Sequence, residues 1–190
     1  MRIFRIMIAL VIVLIPALLR ADSHGPNSPS AYTDGGNWSS QTNAYAQDDA
    51  YAVYNGSNNA DRRFRLTGFG FNLPGCAIID SIVVELDTYR NPGIICTISV
   101  TKEGTTEISS GQGTCPTSDN DVYQNDGAQP LWGTTWSAAD INSANFGIIM
   151  HTRSDCSSTN WRVDHVRVTV FYSSPPNTVQ KRRIRLHSED

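Results

Sequence analysis

Apolar and polar residues alternate with a period of two along much of this chain. Ile82, Val84 and Leu86 alternate with Val83, Glu85 and Asp87; Ile94, Cys96, Ile98 and Val100 with Ile95, Thr97 and Ser99. Later, Phe146, Ile148 and Met150 alternate with Gly147, Ile149 and His151, and Val166, Val168, Val170 and Tyr172 with Arg167, Thr169 and Phe171. Such runs predict strands with one face in a core and the other mixed or polar, as antiparallel sheets require. No long stretch of helical period separates them, so the pattern predicts an all-β antiparallel sandwich or jelly roll rather than a βαβ fold. One short helical turn is expected at Ser137-Ala138-Ala139-Asp140, where an acid three residues after a hydroxyl has capping-box spacing.

Between Arg63 and Phe71 the apolar parity changes. Phe64 and Leu66 share one face; beyond Gly68 the bulky residues are Phe69 and Phe71, on the other. A glycine at that switch predicts a β-bulge that returns both halves to the core, and Leu73-Pro74-Gly75 ends the strand.

The ends read differently. Arg2 and Arg5 precede an apolar run from Ile6 to Leu19, broken by Pro16 and followed by Arg20-Ala21. This is the pattern of a secretory signal peptide over residues 1–21, cleaved after Ala21. The alternative, an uncleaved anchor, suffers because the run falls short of the ~20 apolar residues that span a bilayer. The organisation expected is a signal peptide at 1–21, a flexible lead-in rich in Gly, Pro and Ser at 22–36, a sandwich at 37–172, and a Pro-containing basic tail at 173–190. Without the three arginines of the leader, 12 basic residues face 18 acidic ones, and four of the 12 crowd the tail (Lys181, Arg182, Arg183, Arg185). An acidic body argues against a nucleic-acid partner, which needs clustered cations.

Four cysteines follow the leader. In an exported chain an even count predicts two disulfides, and no CxxC or Cys/His spacing suggests zinc. A hairpin after the Ile94–Val100 strand favours Cys96–Cys115, which leaves Cys76–Cys156; the alternative is Cys76–Cys96 with Cys115–Cys156. A turn centred at residues 103–104 would set Cys96 opposite Gly111, so the first pairing needs a bulge or a longer loop. Asn37 and Asn55 stand in glycosylation sequons.

A resemblance covers most of the domain. Leu66-Thr67-Gly68-Phe69-Gly70-Phe71-Asn72-Leu73-Pro74 is followed by Ala77-Ile78-Ile79-Asp80-Ser81-Ile82-Val83-Val84-Glu85. Leu131-Trp132-Gly133, Trp136, Ala139-Asp140-Ile141-Asn142 and Phe146-Gly147 come next, and Val163 to Tyr172 closes the series. With Trp38, Asn43-Ala44 and Asp49-Ala50-Tyr51-Ala52 upstream, this resembles a pattern common in phage tail-associated and bacterial secreted or surface proteins without an assigned role. The resemblance runs from about Asn37 to Tyr172 and implies a jelly-roll-like β-sandwich and no activity. The cysteines and the basic tail lie outside it.

Chemistry is sparse. Of the histidines, His24 and His187 fall in the ends, and His151 takes the polar parity of its strand. His165 follows Asp164, but strand neighbours point to opposite faces, so Asp164 is not expected to orient it. No nucleophile elbow, HExxH, P-loop or dinucleotide fingerprint occurs. Asp119, Asp121 and Asp126 are loop carboxylates that suit Ca²⁺, with Asp48 and Asp49 as further donors; the spacing is not that of an EF-hand, and a solvated acidic turn is the plainer reading. No other cofactor is expected. Trp132 and Trp136 are expected to plug the sandwich, whereas Trp38, Trp161, Tyr51 and Tyr54, near polar loops, are candidate ligand contacts.

The expectation is a secreted or surface-exposed, non-catalytic structural or adhesive module. It would act through protein contacts, including self-assembly by strand addition from the tail segment 179–186. The alternative is a glycan-binding module using exposed aromatics. Neither nucleic acid nor stable membrane insertion after cleavage is expected.

Overall fold

In a computed structural model of the chain the described residues are 20–34, 37–54, 63–90, 95–108, 113–114, 121–124, 129–153 and 161–174. Along the chain they form β1 (Arg20–Asn27), β2 (Ala31–Asp34), β3 (Trp38–Ser39), a 3-10 turn (Gln41–Ala44), β4 (Ala52–Tyr54), β5 (Phe64–Thr67) and β6 (Ile78–Arg90). Then come β7 (Ile95–Thr101), β8 (Gly113–Thr114), β9 (Asp121–Gln124), α1 (Ala138–Asn142), β10 (Gly147–Arg153) and β11 (Trp161–Ser174).

One sheet runs β3-β4-β11-β6-β9, with β1 also on β11; the other runs β2-β5-β10-β7-β8. Every pairing is antiparallel, and β4 with β11, β5 with β10, β6 with β9 and β7 with β8 form a nested series. That is a long hairpin wrapped on itself, the strand order of a jelly roll, with β1, β2 and β3 added at the margins. The alternation seen in the sequence fixes which residues face inward. Ile82, Val84 and Leu86 of β6, Ile98 and Val100 of β7, Ile148 and Met150 of β10, and Val166, Val168 and Val170 of β11 are all fully buried.

The expected helical turn is α1, and Ser137 caps it as the spacing predicts. Its hydroxyl accepts from the Asp140 amide at 3.1 Å, while the Asp140 carboxylate accepts from the Ser137 amide at 2.8 Å. Two orphan donors of the first turn are thereby satisfied. The 3-10 turn at Gln41–Ala44 is an addition that the pattern did not predict.

Two expectations are corrected. Within the lead-in expected at 22–36, residues 22–34 are not a flexible stretch: β1 pairs with β11 from Arg20↔Ser174 to Asn27↔Val168, and β2 pairs with β5. Gly25 is structural, because it has φ +118° and a Cβ there would sit 2.5 Å from the Val168 carbonyl oxygen. At Gly68 (φ +73°) the chain does not bulge within a strand; β5 ends at Thr67. Phe69 and Phe71 reach the core from the following loop, beside Phe146 at ring separations of 6.1 and 5.7 Å. The leader through residue 19 and the tail from residue 175 lie outside the described residues.

Candidate functional site

Among the described residues, a dense group of ionisable side chains lies on the seam between β6 and β11. Glu85 and Asp87, two apart on β6, share its outward face, as do His165 and Arg167 on β11. The register sets Asp87 opposite His165 and Glu85 opposite Arg167. Between Val163, paired with Thr88, and His165, paired with Asp87, the register slips by one residue, and Asp164 is the extra residue.

This slip overturns the expectation that Asp164 and His165 point apart. At a bulge two residues face one partner and strict alternation is suspended. Asp164 Oδ2 lies 3.4 Å from His165 Nδ1, and His165 Nε2 lies 3.2 Å from Glu85 Oε1. Arg167 pairs closely with the same Glu85 oxygen. On the far side the Asp48 amide donates to Asp164 Oδ1 at 3.3 Å, and Tyr45 bridges to His165 through the backbone. The 3-10 turn packs on β11 here, and Asp164 and His165 have 0% exposure. Burial, then the neighbouring Tyr32, pushes the Tyr45 phenol above its ordinary value.

One ligand atom each from Asp87, Asp164 and His165 lie within 4.8 Å of one another. As a dyad, Asp164 and His165 resemble an orienter and a base. Among the described residues, however, Nε2 of the imidazole faces a carboxylate rather than a hydroxyl or thiol, so this contact does not build a nucleophilic relay. Removing one member of such a buried charge network typically costs about 3–5 kcal/mol, which makes the cluster a structural commitment as well.

The other sequence candidates scatter. Trp38, Trp161 and Tyr54 are not ligand contacts but core residues, at 5%, 0% and 1% exposure. Trp38 stacks on Phe64 at 4.4 Å and meets Trp161 edge-on at 4.7 Å. They lie near polar loops in sequence, yet β4 and β11 carry them inward. Tyr51 alone of the four is partly exposed, with the Arg162 guanidinium 5.9 Å from its ring centroid. Trp132 and Trp136 plug the core as expected, their indole N–H groups donating to the Ile82 and Leu131 carbonyls.

Asn37 is half-buried, and Asn55 lies outside the described residues, as do Asp119 and Asp126. Asp121 is described by its backbone, which pairs with Asp87. His151 shares Glu107 with Arg63, at 3.4 and 2.7 Å. Cys96 is buried and disulfide-bonded, its partner being outside the described residues. Cys76 is an exposed free thiol, which overturns the Cys76–Cys156 bridge and equally the alternative Cys76–Cys96.

A second feature is a cavity of about 360 Å³ lined by Thr101, Lys102, Glu103, Thr106, Ile108 and Thr134. Its lysine is committed elsewhere: Lys102 Nζ sits 3.0 Å from Asp140 Oδ2 and 5.1 Å from the Trp136 ring centroid. The largest influence on Asp140 is burial, which raises its pKa. The Ser137 amide, the Ser137 hydroxyl and Lys102 together outweigh it and hold the carboxyl below its ordinary value.

No protein-family model and no curated protein matches this chain. Among solved structures, the "Cyanophage Pam1 capsid asymmetric unit" is similar over 88% of this chain and 94% of that chain, at 15% identity and a TM-score of 0.31. At that score the likeness bears on neither fold nor function.

Proposed function

We propose that this chain is a non-catalytic structural or adhesive module of the extracellular space or a cell surface, acting through protein contacts that include contacts with its own copies. The observation that carries the reading is where the apolar surface lies. Phe171 (43% exposed) and Ile78 (53% exposed) stand on the outward face of β11 and β6, at the end where β11 also pairs with β1. Phe171 faces Ser81 on one side and Ser23 on the other, so small neighbours leave its ring proud of the sheet. Among the described pairings β1 contacts β11 alone, so its outer side is a sheet margin beside that ring, running in the mature chain from Asp22 to Asn27 with the register irregular after His24. β2, β3, β8 and β9, at the other margins, span two to four residues each. Short margins resist strand addition, and a longer one beside an exposed aromatic invites it.

The signal-like leader and the disulfide at Cys96 support an oxidising, exported setting. The burial of Trp38, Trp161 and Tyr54 removes most of the aromatic surface that a glycan site would use.

Sedimentation velocity on the mature chain tests the reading. Association that rises with concentration is expected, and the double substitution Phe171→Ser, Ile78→Ser is expected to abolish it. A monomer at every concentration, or association indifferent to both substitutions, counts against this surface. Glycan-array binding that is lost in Tyr51→Ala would favour the alternative.

A further inference from the structure

We propose that Asp87, Asp164 and His165 form a binding site for a divalent transition cation, with Zn²⁺ the ion of best fit. The donor set comes first. One imidazole and two carboxylates suit zinc and its neighbours, whereas an all-oxygen set suits Ca²⁺ or Mg²⁺. Ligand atoms about 2.1 Å from a zinc ion stand roughly 3.4 Å from one another in a tetrahedral site. The Asp164–His165 pair already meets that spacing at 3.4 Å, and the donor atom of Asp87 lies within 4.8 Å of both. The β-bulge is what brings Asp164 to the side of the strand where Asp87 and His165 lie.

The second, independent observation is the far side of the imidazole. A metal-bound histidine donates its other N–H to a carboxylate that is itself held in place. Here Nδ1 faces Asp164, while Nε2 faces Glu85 Oε1 at 3.2 Å, and Arg167 holds that same oxygen. With both ring nitrogens directed at carboxylate oxygens, a neutral imidazole has an N–H for one of them only. Either a second proton or a cation on the Nδ1 side satisfies both contacts, and the cation leaves the Nε2–H tautomer facing Glu85. Charge also balances: two carboxylates neutralise the divalent ion, and Arg167 neutralises Glu85. Such an ion would clasp β6 to β11 beneath the 3-10 turn.

Titration of the chelator-stripped mature protein with Zn²⁺, followed by calorimetry, and with Co²⁺, followed by its visible absorption, tests the site. One equivalent is expected, with a cobalt spectrum free of thiolate charge transfer and a raised thermal midpoint in zinc. Cys76→Ser is expected to bind as the parent does. Glu85→Gln, which touches only the outer partner, is expected to weaken binding by about 10–100-fold, and Asp87→Asn by at least as much. No saturable binding, or binding indifferent to Asp87→Asn, overturns the proposal. Should the variants fail to fold, X-ray absorption on the zinc-loaded parent decides: one imidazole with oxygen donors is expected, and a sulfur ligand or a shell without imidazole overturns it.

Discussion

Leu86 offers the sharpest test of the sandwich itself. It sits mid-strand on β6, paired with Val166 of β11 on one side and Val122 of β9 on the other, and has no exposure. Leu86→Ala removes three carbons, worth roughly 2.4 kcal/mol at about 0.8 kcal/mol each. A partly relaxed cavity adds to this, for a total of about 2.5–5 kcal/mol. In a chain of this size each kcal/mol moves the thermal midpoint by about 2–4 °C, so a fall of roughly 5–20 °C is expected. Val83→Ala is the internal control, because Val83 lies on the same strand but faces outward and is only half-buried. Urea unfolding of both variants, with unchanged slopes, gives the comparison directly. If Leu86→Ala costs no more than Val83→Ala, the assignment of the two faces of β6 is wrong, and the nested pairing built on it fails too.

The cap on α1 should titrate. Asp140 is held below its ordinary pKa, so its contribution is complete above the normal aspartate range and is lost as pH falls through its folded value; acid unfolding of Ser137→Ala, expected to be about 1 kcal/mol less stable near neutrality, should show a smaller loss over that window. The disulfide partner follows from register. Thr97 pairs with Thr114 and Ile98 with Gly113. That register continued by one step predicts a Cys96–Cys115 link, which non-reducing peptide mapping should recover, with Cys76 alkylated without reduction. Reduction of that link should cost about 3 kcal/mol for a loop of this length, and a Cys96–Cys156 peptide would refute the assignment.

What the sequence made legible was the inward face of each strand, because burial on one side of a sheet writes itself as period two. Ile82, Val84, Leu86, Val166, Val168 and Val170 needed no partner to be placed. The cap at Ser137 was legible because it is local, all its partners lying within three residues. Long-range pairing was not. Ala21 to Asn27 reads as a leader's end and a loop, and becomes a strand because β11 offers it an edge. Trp38 and Trp161 look like loop aromatics until β3, β4 and β11 are brought side by side, which sets Trp161 edge-on against Trp38 and stacks Trp38 on Phe64. Cys76 could be assigned a partner only by elimination, and elimination assumed that every cysteine is bridged.

The acid–histidine cluster is the instructive miss, since its signal was present. Val163 and Val166 are both fully buried, yet they are three residues apart on a strand that otherwise alternates, with the polar pair Asp164-His165 between them. A step of three in a period-two strand has one economical solution: a bulge that takes up the extra residue and leaves the intervening pair on the same side. β6 repeats the pattern at Ile79 and Ile82, both buried around Asp80-Ser81, and its register slips there as well. At Gly68 a glycine likewise marks a parity switch, but there the strand simply ends. Glycine marks where a chain can turn, whereas a step of three between buried residues marks where a continuing strand must bulge. Of the two such steps on the β6–β11 seam, one lies at Asp164-His165 and the other beside Phe171 and Ile78. Bulges re-aim side chains where an even ladder cannot, so unpaired steps of this kind are the place to look for sites on a sandwich whose strands otherwise read as pure scaffold.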